Sequence, residues 1–105
     1  MKKILMISNI TIAAQTLTER IRRTAKERAL DIDIMLLSEA EGIQHAREHV
    51  GEFDMILLAP NLRYLLNVSD VLRGRNTPPP VVVIESVNFG NLDVSAVMEQ
   101  ILLHI

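Results

Sequence analysis

Apolar positions along this chain fall into four short continuous runs, each followed by a stretch with a helical period. The runs are Lys3–Ile7, Asp31–Leu37, Asp54–Ala59 and Pro80–Glu85. A strand buried on one face alternates apolar and polar residues. A strand buried on both faces is apolar throughout, the mark of a parallel sheet covered on each side. After the first run, Ala13, Leu17, Ile21 and Ala25 recur every four residues and predict a helix from about Ala13 to Ala29. Thr16-Leu17-Thr18-Glu19 has the form of a capping box and offers a later start for that helix. Ser38-Glu39-Ala40-Glu41 is a second box, opening a helix that runs to about Val50 and is closed by Gly51. A third helix is predicted from Pro60-Asn61, carrying Leu62, Leu65, Leu66, Val68, Val71 and Leu72. Gly74 and Thr77-Pro78-Pro79-Pro80 end it and lead into the fourth run. The last helix takes Asp93 as N-cap and carries Val94, Val97, Met98, Ile101 and Leu102.

Alternating strands and helices with connections of these lengths build right-handed βαβ units. The expected fold is therefore α/β, with a four-stranded parallel sheet flanked by helices on both faces in a three-layer sandwich. The 105 residues contain no internal repeat and no linker, so residues 1–105 are expected to form one domain.

Composition narrows the function classes. The chain is 49% hydrophobic but has only one Tyr, two Phe and no Trp, so its core must be aliphatic. A net charge of −2 does not fit a general nucleic-acid binder, which carries a strongly basic face. With no Cys there is no disulfide, thiolate metal site or thiol nucleophile. The apolar run after Met1-Lys2-Lys3 is too short for a signal sequence or a membrane span, so a cytoplasmic protein without membrane insertion is expected. Asn67-Val68-Ser69 has the form of a glycosylation acceptor, which has no meaning without secretion.

In a parallel sheet, ligands collect beyond the carboxyl ends of the strands, where the next helix begins. The turn after the first strand is Ser8-Asn9-Ile10-Thr11-Ile12. An anion cradle is normally built on residues that take positive φ, and the β-branched Ile10, Thr11 and Ile12 resist that conformation. Ser8 and Asn9 can contact an anion or simply cap the turn. On the same sheet edge, Pro60, Asn61, Arg63 and Tyr64 follow the third strand, while Asn88 to Asp93, including Phe89, follow the fourth. Two common functions of such sheets are excluded. A receiver domain needs an acidic cluster after the first strand and an Asp ending the third, positions that hold Ser8-Asn9 and Ala59. A dinucleotide fold needs a Gly-rich turn, and this turn has no Gly.

Two further clusters are weighed. His45-Ala46-Arg47-Glu48-His49 matches the H-x-x-E-H pattern of a zinc hydrolase. The remaining His104 lies at the C-terminus and no acidic residue is placed for a third bond, so neither a metal nor a cofactor is expected. Arg20, Arg22, Arg23, Lys26 and Arg28 make the outer side of the first helix basic, partly offset by Glu19 and by Glu27, the latter four residues beyond Arg23.

Three segments in order resemble a known family: Lys2-Lys3-Ile4-Leu5-Met6-Ile7, then Ile56-Leu57-Leu58-Ala59-Pro60-Asn61-Leu62-Arg63-Tyr64, then Val82-Val83-Ile84 with Asn88-Phe89-Gly90-Asn91-Leu92-Asp93. Together they are similar to the lactose/cellobiose-type IIB components of the bacterial sugar phosphotransferase system. The resemblance implies a phosphoryl carrier that accepts from a IIA phosphohistidine onto a Cys at the end of the first strand and passes the group on at a membrane IIC permease. It also implies IIA and IIC partners, with Pro60, Arg63, Tyr64 and Phe89 on a docking rim. In this chain Ser8 stands at the Cys position and Thr11 at a Gly position, within a phosphate-loop segment Asn9, Ile10, Thr11, Ile12, Ala13, Ala14 and Gln15 that lacks the family's Gly and Ser/Thr pattern. A Ser hydroxyl stays protonated without a base, and a phosphoserine is a stable ester, so Cys-type relay is expected to be lost. The alternative expectation is a regulatory module that binds an anion or sugar phosphate on the same fold.

Overall fold

A computed structural model of the chain describes residues 1–49, 51–68 and 79–105. Four parallel strands, β1 (Lys2–Ile7), β2 (Ile32–Leu37), β3 (Met55–Leu58) and β4 (Val81–Val83), lie in the order β2-β1-β3-β4. Helices α1 (Ile12–Glu27), α2 (Glu39–Glu48), α3 (Ser86–Gly90) and α4 (Val94–Leu102) connect and follow them, and a 3-10 helix, Pro60–Val68, comes after β3. The expected sheet and layers are present. The expected ends move inward by one residue at β2, and β3 and β4 shorten to Met55–Leu58 and Val81–Val83.

Register explains why the runs are apolar throughout. Ile4 pairs with Met55 and Met6 with Leu57, and their side chains join Leu17, Ile21, Ala25, Val97, Met98 and Ile101 in one core under α1 and α4. The alternate residues, Leu5 opposite Ile56 and Ile7 opposite Leu58, join Ala46, Phe53, Leu62 and Leu65 under α2 and the 3-10 helix. Successive side chains in a strand point to opposite faces, so the two central strands supply both cores at once. β2 and β4 are edge strands, and most of their residues are only partly covered.

Helix ends follow their caps. Thr11, not Thr16, caps α1: its Oγ1 accepts from the Ala14 N–H at 3.1 Å. The stripe then buries Ala14 rather than Ala13, together with Leu17, Thr18, Ile21 and Ala25. Thr18 sits in the core because its hydroxyl donates to the Ala14 carbonyl at 2.8 Å. Ser38 caps α2 and Asp93 caps α4, as expected. On the outer side of α1 the ion pair is Arg22 with Glu19, in place of the expected Arg23 with Glu27. Leu66 and Leu102, both placed on buried stripes by their spacing, are exposed. The expected continuations to Val50, Val71, Leu72 and Gly74, the Thr77-Pro78 stop and Ser69 of the glycosylation pattern fall outside the described residues.

Gly42 is a glycine for a steric reason. A Cβ there would lie 2.8 Å from Cγ1 of Ile7, so α2 approaches β1 more closely than any larger residue permits.

Candidate functional site

The carboxyl ends of β1, β3 and β4 meet around a cleft of about 380 Å³. Its lining comes from three connections: Ser8, Asn9 and Thr11 after β1, Pro60 and Asn61 after β3, and Ser86, Phe89 and Gly90 after β4. From β1 the chain moves to β2 on one side, while β3 lies on the other, so the sheet order reverses between β1 and β3. Open α/β sheets place their ligand crevices at such switch points.

Ser8 is held in the floor of this edge. Its N–H donates to the Leu37 carbonyl at 3.1 Å, extending the β1–β2 ladder by one residue. The side chain is buried, with 2% of the residue exposed, and its Oγ donates to the Asn9 carbonyl at 3.0 Å. No imidazole or carboxylate is hydrogen-bonded to it among the described residues. The hydroxyl is thus engaged within its own turn.

The turn beyond Ser8 is not an anion nest. Positive φ occurs at Gly51, Ala29 and Leu92 among the described residues, and nowhere in residues 8–15. The Thr11 N–H folds back to the Asn9 carbonyl at 2.9 Å, and the Thr11 hydroxyl occupies the Ala14 N–H. Two donors that face a ligand in an open helix N-terminus are thus used inside the turn. Among the described residues, no side chain lining the cleft carries a charge. In the same connections, Ile12 is 85% and Val87 62% exposed, with Ile10 half-exposed, so bare aliphatic side chains neighbour the lining residues in sequence.

Of the residues placed at this edge from the sequence, Ser8, Asn9, Thr11, Pro60, Asn61, Phe89 and Gly90 meet at the cleft. Arg63 does not line it. It borders a smaller neighbouring depression of about 220 Å³ with Pro60, Val83, Ile84, Glu85 and Ser86. Tyr64 is also absent from the cleft: its hydroxyl donates to Glu39 at the start of α2, and that bond raises its pKa above the ordinary 10.0. Ile10, Ile12, Ala13, Ala14 and Gln15 complete the turn and the first turn of α1, where Ala14 is buried in the core. Ser86 precedes the rim segment expected after β4, and a five-residue helix over 86–90 brings it to the cleft together with Phe89 and Gly90.

The Glu48 carboxylate accepts from Gln44 Nε2 at 2.9 Å and makes no ion pair with either histidine.

No protein-family model matches the sequence, and no curated protein matches it. Solved structures do match. The lactose-specific IIB component domain of the phosphoenolpyruvate:carbohydrate phosphotransferase system from Streptococcus pneumoniae aligns with a TM-score of 0.77 at 17% identity, covering 98% of this chain and 96% of that one. The cellobiose-specific phosphotransferase IIB component protein from Borrelia burgdorferi aligns with a TM-score of 0.68 at 22% identity, covering 93% of this chain and 85% of that one. The resemblance read from three sequence segments therefore holds at the level of the fold: this chain has the architecture of the lactose- and cellobiose-specific IIB components, end to end.

Proposed function

We propose that this protein is a IIB-type component, or a paralogue of one, of a sugar phosphotransferase system, that it docks IIA or IIC partners, and that it no longer relays phosphate through its first turn. What supports the first part is the end-to-end fold likeness to two IIB components of different sugar specificity. The loss of relay rests on one observation, the state of Ser8: buried, bonded to its own turn, and set beside a cleft whose described lining is uncharged. A phosphoryl group brings about −1.5 to −2 charges and three acceptor oxygens, which call for converging N–H groups or a cation. In this turn the Thr11 and Ala14 N–H groups are already engaged, no residue takes positive φ, and the Asn9 carbonyl holds the Ser8 hydroxyl.

The same geometry suits a protein face. A cleft whose described lining is uncharged, with Ile10, Ile12 and Val87 neighbouring that lining in sequence, offers apolar contact area and a small polar centre, the layout of a docking interface. Arg63, Pro60 and Phe89 extend that surface along the sheet edge. Partners of this kind imply a cytoplasmic protein, and no helix among the described residues is long and apolar enough to cross a membrane. The rival reading, a module for anions or sugar phosphates, has less support, because the described residues that line the cleft are all uncharged.

Titration calorimetry against lactose- or cellobiose-type IIA proteins, unphosphorylated and phosphorylated, tests the docking. Saturable binding weakened by Ile12→Asp and Val87→Asp is the expected result. Absence of binding to every such IIA, and to the matching IIC, would remove the docking claim.

A further inference from the structure

We infer that the C-terminal end of α2 carries a binding site for a first-row divalent transition cation of the Zn²⁺ class, built from His45, His49 and Glu52. His45 and His49 lie one helical turn apart, so their rings share a face and stack with centroids 4.2 Å apart. Beyond the helix, Gly51 takes φ 89°, a left-handed turn that reverses the chain. The Glu52 N–H then donates to the His49 carbonyl at 3.1 Å, and the Glu52 carboxylate comes back to both rings. Its Oε2 stands 3.2 Å from His49 Nδ1 and 3.6 Å from His45 Nε2. Ligand atoms of all three residues lie within 4.8 Å of one another.

The two spacings from Glu52 match edges of a coordination polyhedron. Nitrogen and oxygen ligands at about 2.0–2.1 Å from a tetrahedral ion are separated by about 3.3 Å, between the two distances found here. A pair of imidazoles with one carboxylate is a donor set for zinc and its neighbours rather than for Mg²⁺ or Ca²⁺, which prefer all-oxygen shells. Three protein ligands leave at least one position for water. The second sign of a ligand is His45 Nε2. That atom is buried and, among the described residues, has no hydrogen-bond partner. A buried imidazole nitrogen left without a partner is unfavourable, and a cation held against Glu52 would bind its lone pair. The Phe53 ring, 5.4 Å from that of His45, closes the inner side with apolar surface.

The site is remote from the Ser8 cleft. α2 runs back from the carboxyl edge of the sheet, so its last turn and Glu52 lie at the amino end of β3, on the opposite edge. A cation there clips the end of α2 to the segment entering β3, and acts on stability rather than on the cleft. This inference stands independently of the IIB reading.

The test is titration of the full chain with Zn²⁺ alone, followed by calorimetry and thermal melting, for the parent protein, His49→Ala, Glu52→Gln and His104→Ala. His49 is solvent-accessible and Glu→Gln is isosteric, so both variants retain the fold. His104 sits on a different helix end and serves as the control. The expected result is one Zn²⁺ per chain and a raised melting temperature for the parent and for His104→Ala, since a ligand of the native state stabilises it. His49→Ala and Glu52→Gln should each lose at least roughly tenfold in affinity, as removal of a direct ligand must exceed the effect of an outer-shell change. No saturable binding by the parent, or a loss below that threshold in either variant, overturns the assignment.

Discussion

Replacing Gly42 by Ala sets two opposing effects against each other, and the structure decides between them. Gly in a helix interior costs about 0.8–1.0 kcal/mol relative to Ala, so propensity alone favours the substitution. Against it stands Ile7. The new Cβ would meet Cγ1 at 2.8 Å, Cδ1 at 3.0 Å and Cγ2 at 3.2 Å. Three atoms of one β-branched side chain are engaged together, and two are attached directly to its Cβ. No rotamer of Ile7 withdraws both, and Ile7 is wholly buried within the α2-side core. α2 must therefore lift off β1, and overpacking of a close-packed core costs about 1–3 kcal/mol. The net expectation is destabilisation by about 1 kcal/mol, or a melting temperature about 4–8 °C lower for a domain of this size. Urea unfolding followed by circular dichroism measures it, with Gly90→Ala as control, because a Cβ at Gly90 meets nothing within 4 Å. If Gly42→Ala is as stable as the parent or more so, the close approach of α2 to β1 is not real.

Three further outcomes are expected. Thr11→Ala should cost about 1 kcal/mol by loss of the α1 cap, while Thr16→Ala, inside the helix, should cost much less; chemical denaturation of both variants shows which threonine starts the helix. Tyr64 is the only tyrosine, so an ultraviolet titration reads it alone. Its phenolate should form above pH 10.0, and Glu39→Gln should bring the midpoint back down, because the hydrogen bond to Glu39 holds the neutral phenol. The sign for stability follows: the contribution is present below pH 10.0 and is lost as pH rises through the folded-state midpoint. Finally, Ser8→Cys should fail to restore a phosphoryl carrier. A thiol at this buried, uncharged position is disfavoured as thiolate, and the turn still lacks left-handed residues; intact mass after exposure to phosphorylated IIA checks it.

The sheet was legible because β1 and β3 are covered on both faces, which forces an apolar residue at every position from Ile4 to Ile7 and from Met55 to Leu58. The edge strands are less plain: Val81–Val83 is as apolar as the central strands and Ile32–Leu37 is interrupted only by Asp33, yet both pair on one side only. The start of α1 was ambiguous because two threonines are each followed by residues suited to a first turn, and only packing of Ala14 and Leu17 selects Thr11. α3 is five residues long, too short for any period to show. At the cleft, the position of Ser8 followed from strand order, whereas the departure of Tyr64 toward Glu39 depends on a contact between residues 25 apart. Glu52 was invisible as a partner of His45 and His49. It reaches them around a left-handed Gly51 after the helix has ended, where helical spacing carries no information.

The relay claim is tested most directly at Ser8 itself. The protein is exposed to phosphorylated lactose- or cellobiose-type IIA, and its intact mass and fragment masses are recorded. The geometry of the turn, with the Ser8 hydroxyl given to the Asn9 carbonyl and no charge among the described residues that line the cleft, predicts an unchanged mass. A phosphoryl group on Ser8, either stable or passed on to sugar at IIC, would contradict it.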